Sequence, residues 1–165
     1  MSTSSFREER IIRLYQKLNI KTVSDLSISN LSNILSFKVI YYNLRSRCIY
    51  DDECALIYLN KYQSIEGIRY DFFHEMAHFF EHSNDQRFTN RDFVQFQERQ
   101  AHSFALYASM PRYILDDYLP HITSITELVE IFQLPQSFIY ERLNTIQQQN
   151  VLGAANSFKA NTTIK

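Results

Sequence analysis

Glycine is nearly absent. Gly67 and Gly153 are the only two in 165 residues, where an average composition near 7% would supply roughly 12. Neither a dinucleotide-binding glycine turn nor a phosphate-binding P-loop can be written with them. Collagen-like and linker-rich architectures are excluded on the same count. There are 3 prolines and no tryptophan. The two cysteines, Cys48 and Cys54, cannot build a disulfide framework, and no Cys-x-x-Cys pair is present to hold a metal. Positive charge is not in excess: 17 Lys and Arg face 18 Asp and Glu, for a formal net charge of −1. No bulk basic field is therefore available to hold nucleic acid or an anionic membrane surface. No apolar run approaches the roughly 20 residues that cross a bilayer. The first residues are polar, without the apolar core of a signal peptide. The expected setting is cytoplasmic and reducing.

What the chain does have is apolar and aromatic. Hydrophobic residues make up 45%, with 13 Phe and 11 Tyr, which is enough to bury a real core. Helical periodicity predicts a first helix from Ser4 or Ser5 to about Leu18 and a second, weaker one over Val23–Leu35. The texture then changes. Phe37–Tyr42, Cys48–Tyr50 and Ala55–Leu59 are β-branched and aromatic, and predict a small three-stranded antiparallel sheet. From Ser64 the period is helical again: Gly67 to about His82, a polar break, then Thr89 or Asp92 to Ser109. Met110-Pro111 stops that helix. Arg112–Tyr118, Thr123–Phe132 and Gln136–Gln148 follow, with a polar tail expected from Gln149. The expected organisation is a main domain over 1–120, a C-terminal helical extension over 121–148 packed on it, and a flexible tail over 149–165.

Chemistry is concentrated in Phe73-His74-Glu75-Met76-Ala77-His78-Phe79, an H-E-x-x-H. On a helix, positions i and i+4 share a face, so His74 and His78 can offer two ring nitrogens to one Zn²⁺. Glu75 is rotated by about 100° from His74 and can reach water held at the ion without binding it, the place of a general base. The flanking phenylalanines make the helix strongly apolar, and polar side chains in such a setting need partners.

A catalytic zinc needs a third protein ligand. The extended motif with a third histidine fails, because Glu81 stands where glycine is required and Asn84 where the histidine would be. His82 lies one turn beyond His78, and three ligands on consecutive turns of one straight helix cannot wrap around an ion. It fits a place beside the site or at the helix C-terminus, where its charge is favoured. Glu98 falls on the apolar stripe of the next helix, between Val94 and Ala101. A carboxylate there is costly unless it is paired or metal-bound. Folding back of that helix makes Glu98 the natural third ligand.

His74-Glu-Met-Ala-His78, then Glu98-Arg-Gln-Ala101-His-Ser-Phe104-Ala105, then Met110-Pro111 looks like the ImmA/IrrE family of zinc metallopeptidases. The resemblance covers roughly residues 37–145. It implies an α+β, zincin-like (gluzincin) fold, with His74, His78 and Glu98 as metal ligands and Glu75 as catalytic acid and base. It also implies a helix-turn-helix repressor as the partner, cut by an anti-repressor of a phage or mobile element. The chain departs from the common pattern at Ala77, at His102, and in a basic cluster reduced to Arg69. His102 could itself face the metal site. Tyr70, His102 and Tyr107 are all candidate oxyanion donors.

A substrate strand is expected to add along Ala55–Asn60. The molecule is expected to be a monomer or weak homodimer. Two other readings compete. One is a non-proteolytic anti-repressor with a structural zinc, docking through Tyr41, Tyr42, Tyr58 and Tyr62. The other is direct DNA binding by Thr123–Gln148, which mimics a helix-turn-helix but brings only Arg142 against Glu127, Glu130 and Glu141.

Overall fold

The structure is a computed structural model that describes residues 5–50, 55–81 and 91–162, with side chains as far as Leu152. The element order is α1 (Phe6–Lys17), α2 (Ile28–Leu35), β1 (Phe37–Tyr42), β2 (Arg47–Tyr50), β3 (Ala55–Asn60), α3 (Ile65–Glu81), α4 (Arg91–Ser109), α5 (Arg112–Tyr118), α6 (Ile125–Phe132) and α7 (Gln136–Thr162). Short 3₁₀ turns cover Ser24–Leu26 and Leu119–His121. No helix among the described residues is long and apolar enough to cross a membrane.

Local chemistry explains most boundaries. Ser5 caps α1 by accepting from the Glu8 N–H at 3.2 Å, and Glu8 and Glu9 place negative charge on its first turn. Ser27 does the same for α2 through the Asn30 N–H at 3.3 Å. Glycine is not used to end helices. Ser36 and Gln133 take the left-handed conformation after α2 and α6, with φ of 58° and 51°. Pro111 precedes α5, where its fixed φ suits a helix start.

The sheet is α+β in character but mixed, not antiparallel. Its order is β1-β3-β2, with β1 parallel to β3 and β2 antiparallel to it. β3 is central because it is the most apolar strand, and its Ala55, Ile57 and Leu59 are all at most 2% exposed. β1 and β2 carry Lys38 and Arg47 and sit at the edges. The link between them passes the end of β3, where the Ser46 hydroxyl accepts from the Asn60 N–H at 3.0 Å and donates to Asp71. The inner face, with Phe37, Ile57 and Leu59, packs on α3. Phe79 of α3 meets Phe37 and Tyr50 edge to face, with ring centres 5.0 Å and 5.8 Å apart.

One continuous core joins these parts to Leu128, Phe132, Phe138, Ile139 and Ile146 of the last two helices. The polar tail expected from Gln149 is instead a continuation of α7, which runs to Thr162. Gln149 is buried, and its amide donates to Glu8 Oε2 at 2.8 Å. The same Glu8 carboxylate accepts from Arg142, whose Nε donates to the Met110 carbonyl at 3.0 Å and whose guanidinium lies 4.9 Å from the centre of the Tyr107 ring. Arg142 is fully buried, and burial lowers its pKa. It is a core cation tying α7 to α1, and it cannot serve as a phosphate contact.

Removing one partner of a buried pair leaves the other charge uncompensated. Glu8→Ala is expected to destabilise folding by about 3–5 kcal/mol, read from the urea midpoint. Glu8→Leu combined with Arg142→Met should cost far less. Equal losses in the two variants would show that the ion pair is not what holds α1 to α7.

Candidate metal centre

The site lies where α4 meets α3. On α3 the apolar residues Phe72, Phe73, Met76 and Ala77 face the core and are fully buried. This fixes the helix rotation and leaves His74 and His78 on an adjoining, half-buried face. On α4, Ala101, Phe104, Ala105 and Ala108 pack inward. Glu98, three residues before Ala101, comes to lie opposite the histidines. His74 Nε2 is 3.0 Å from Glu98 Oε2, and His78 Nε2 is 3.5 Å from Glu98 Oε1. The three side chains offer ligand atoms that all lie within 4.8 Å of one another.

This donor set fits zinc. Two imidazole nitrogens and one carboxylate oxygen are the ligands of a catalytic His₂Glu site, and tetrahedral ligands about 2.1 Å from one ion sit roughly 3.4 Å apart. The two histidine–Glu98 separations, 3.0 Å and 3.5 Å, are of that size.

Glu75 sits on the neighbouring, buried face. Burial is the largest influence on its carboxyl and pushes the pKa up to about 7. His74 and a hydrogen bond from the Cys48 backbone N–H act the other way, while Asp71 and Glu98 add to the rise. A carboxyl near neutrality can both take and return a proton. The Cys48 bond also shows that edge strand β2 runs beside Glu75. Cys48 is a free, half-buried thiol. Burial first, and the Glu75 charge second, push its pKa up to about 12.

Beside His74 and Glu98 opens a cavity of about 560 Å³, lined also by Tyr70, His102, Tyr107 and Glu141 among others. Thus all three candidate oxyanion donors face one space. His102 is not one of the three residues whose ligand atoms cluster. Both its ring nitrogens are engaged, Nδ1 with the Tyr70 hydroxyl at 3.0 Å and Nε2 with Glu141 at 2.9 Å. Burial, then nearby carboxylates, raise the Tyr70 pKa to about 12, so it is a neutral phenol. Arg69 is not a surface cation. It is buried over the Phe73 ring at 5.5 Å, and burial lowers its pKa to about 10. His82 lies outside the described residues.

Sequence reasoning missed Glu141 and Cys48. Glu141 reads as one more acid on a polar helix face. Only the return of α7 onto α4 gives it a partner.

A small α+β domain with a His₂Glu cluster on two packed helices defines a metallopeptidase-type fold. The family model of the IrrE N-terminal-like domain, peptidase family M78, matches residues 29–144. The chain belongs to this family. A solved structure of a Mycobacterium tuberculosis transcriptional regulator shares the fold with a TM-score of 0.56 and 12% identity. That match covers 83% of this chain and 46% of the regulator, so this chain spans less than half of the regulator's length. No curated protein matches the chain.

The proximity of β2 to Glu75 has a chemical readout. A thiol pKa raised from its usual value leaves less reactive thiolate at neutral pH. In a Cys54→Ser background, Cys48 should alkylate with iodoacetamide at least about tenfold more slowly than a free thiol of ordinary pKa near 8.5. Glu75→Gln should raise that rate, because it removes the second cause. A rate equal to that of a free thiol, timed by mass spectrometry, would contradict this placement.

Proposed function

We propose that this protein is a zinc-dependent endopeptidase that cleaves and thereby inactivates a helix-turn-helix transcriptional repressor. The observation that carries the reading is the meeting of Glu98 with both histidines of the H-E-x-x-H, with Glu75 one residue along from His74. Family membership supports a peptidase.

His74, His78 and Glu98 would hold the ion. When bound, zinc supplies Lewis acidity that polarises the scissile carbonyl and acidifies water. The remaining work falls to the chain. Glu75 takes the proton from the attacking water and delivers it to the leaving amine nitrogen. The Cys48 N–H orients its carboxylate. The oxyanion needs a donor preset in the pocket wall, which Tyr70, His102 and Tyr107 line.

The substrate cannot add along β3 as the sequence implied, because β3 is paired on both sides. Of the two edge strands, β2 is the one next to Glu75, and its outer edge would take an extended peptide.

A repressor encoded beside this chain is the substrate to test. Glu75→Gln should keep zinc and lose cleavage by about 10²–10⁴-fold, while Glu98→Ala should lose both. Repressor fragments on a gel, with and without chelator, read this out. Release of intact repressor in stoichiometric amounts, unaffected by Glu75→Gln, would favour the non-proteolytic binder instead.

A further inference from the structure

Three elements meet at Tyr70, one turn before His74 on α3. Its hydroxyl lies 3.5 Å from His74 Nδ1 and 3.0 Å from His102 Nδ1 on α4. Across the second ring, His102 Nε2 lies 2.9 Å from Glu141 Oε2 on α7. Phe138 of α7 braces both rings edge to face, with centres 4.9 Å from Tyr70 and 5.3 Å from His102.

Donor and acceptor rules orient this chain. An ionised Glu141 carboxylate only accepts. In its neutral form His102 then carries its one proton on Nε2 and presents a bare Nδ1. The Tyr70 O–H donates to that nitrogen, since the phenol is the partner there with a proton to give. The Tyr70 oxygen is then an acceptor for His74 Nδ1–H. A histidine protonated on Nδ1 exposes its lone pair on Nε2, which with an ion bound joins Glu98 as a ligand; without the ion, the 3.0 Å contact between His74 Nε2 and Glu98 Oε2 needs a proton of its own. The Nδ1–H form is the tautomer a metal ligand must have, and a partner on the far ring nitrogen is how proteins hold it.

We propose that Glu141, His102 and Tyr70 form a one-directional hydrogen-bond relay that holds His74 in the Nδ1–H tautomer with Nε2 aimed at the metal position. They are positioning residues, and one of them comes from the C-terminal helix. The relay rests on the zinc reading above and deepens it. The negative charge at its far end also makes His74 a stronger ligand. The relay commits the protons of Tyr70 and His102, so neither is free to donate to an oxyanion.

The test compares zinc affinity, by competition with a chromophoric chelator, in the full chain, Tyr70→Phe, Glu141→Ala and the double variant. Melting temperatures of the metal-free proteins control for folding, and Tyr70→Phe keeps the ring that packs on Phe138. Heteronuclear NMR of the histidine ring nitrogens is recorded on the same samples. Tyr70→Phe should weaken zinc binding by about 10–100-fold, with a smaller loss for Glu141→Ala. The double variant should be no weaker than Tyr70→Phe, because a chain cut in its middle gains nothing from its end. His102 should carry its proton on Nε2 alone.

Unchanged affinity in Tyr70→Phe, losses that simply add, or a proton on His102 Nδ1 would overturn the relay. If the unmodified chain binds no zinc, the functional reading fails, and the relay is judged by NMR alone. It then stands if His102 is protonated on Nε2 and Tyr70→Phe shifts the His74 ring nitrogens, and falls otherwise.

Discussion

Two imidazoles one turn apart on a helix packed into a core must be given partners, and the whole domain is arranged around that requirement. Phe72, Phe73, Met76 and Ala77 commit one side of α3 to the interior. The rotation that buries them carries His74 and His78 to a half-buried face, where water cannot fully satisfy them. Glu98 satisfies both at once, one carboxylate oxygen to each ring. The α3–α4 contact is thus fixed by polar geometry as well as by apolar packing. Phe80 stacks on Phe104 with centres 5.8 Å apart and adds the apolar part.

The helices at the two ends of the chain stabilise that centre from different sides. α1 reaches the end of α3 through Arg7, which donates to Glu81 at 3.0 and 3.1 Å. α7 reaches α1 through Arg142 and Gln149, both on Glu8. α7 also reaches the site itself through Glu141. One helix therefore serves stability and site geometry together. Its buried cation faces α1, and its half-exposed carboxylate faces His102. The resemblance of residues 123–148 to a DNA-reading helix pair is superficial for the same reason. Arg142, the cation that reading required, is spent in the core.

The sheet shows where pattern reading stops. The β-branched and aromatic texture located all three strands, because that signal is local. Strand order is not local. Short links favour hairpins, so consecutive strands were expected to pair in sequence. Instead β3 enters between β1 and β2, since its Ala55, Ile57 and Leu59 must be covered from both sides. The consequence is functional. The strand beside Glu75 is β2, and its backbone N–H at Cys48 holds the carboxylate. A central β3 has no free edge to offer a peptide.

The sequence by itself determined most of the elements, though not the run of α7 past Gln148, and the candidate donor set. Apolar spacing marks the helices, and H-E-x-x-H puts two histidines on one face whatever the surroundings. A lone Glu98 on an apolar stripe demands a cation or metal. These follow from periodicity and from the cost of burying charge, which act over a few residues. Tertiary structure alone decided the rest. It set the mixed strand order, the burial that lifts Glu75 toward neutrality, the core role of Arg69 and Arg142, and the Glu141–His102–Tyr70 chain. Each of these depends on groups brought together from distant parts of the chain, Glu8 with Arg142 and Tyr70 with Glu141. Sequence spacing carries no information about such encounters until the core has closed.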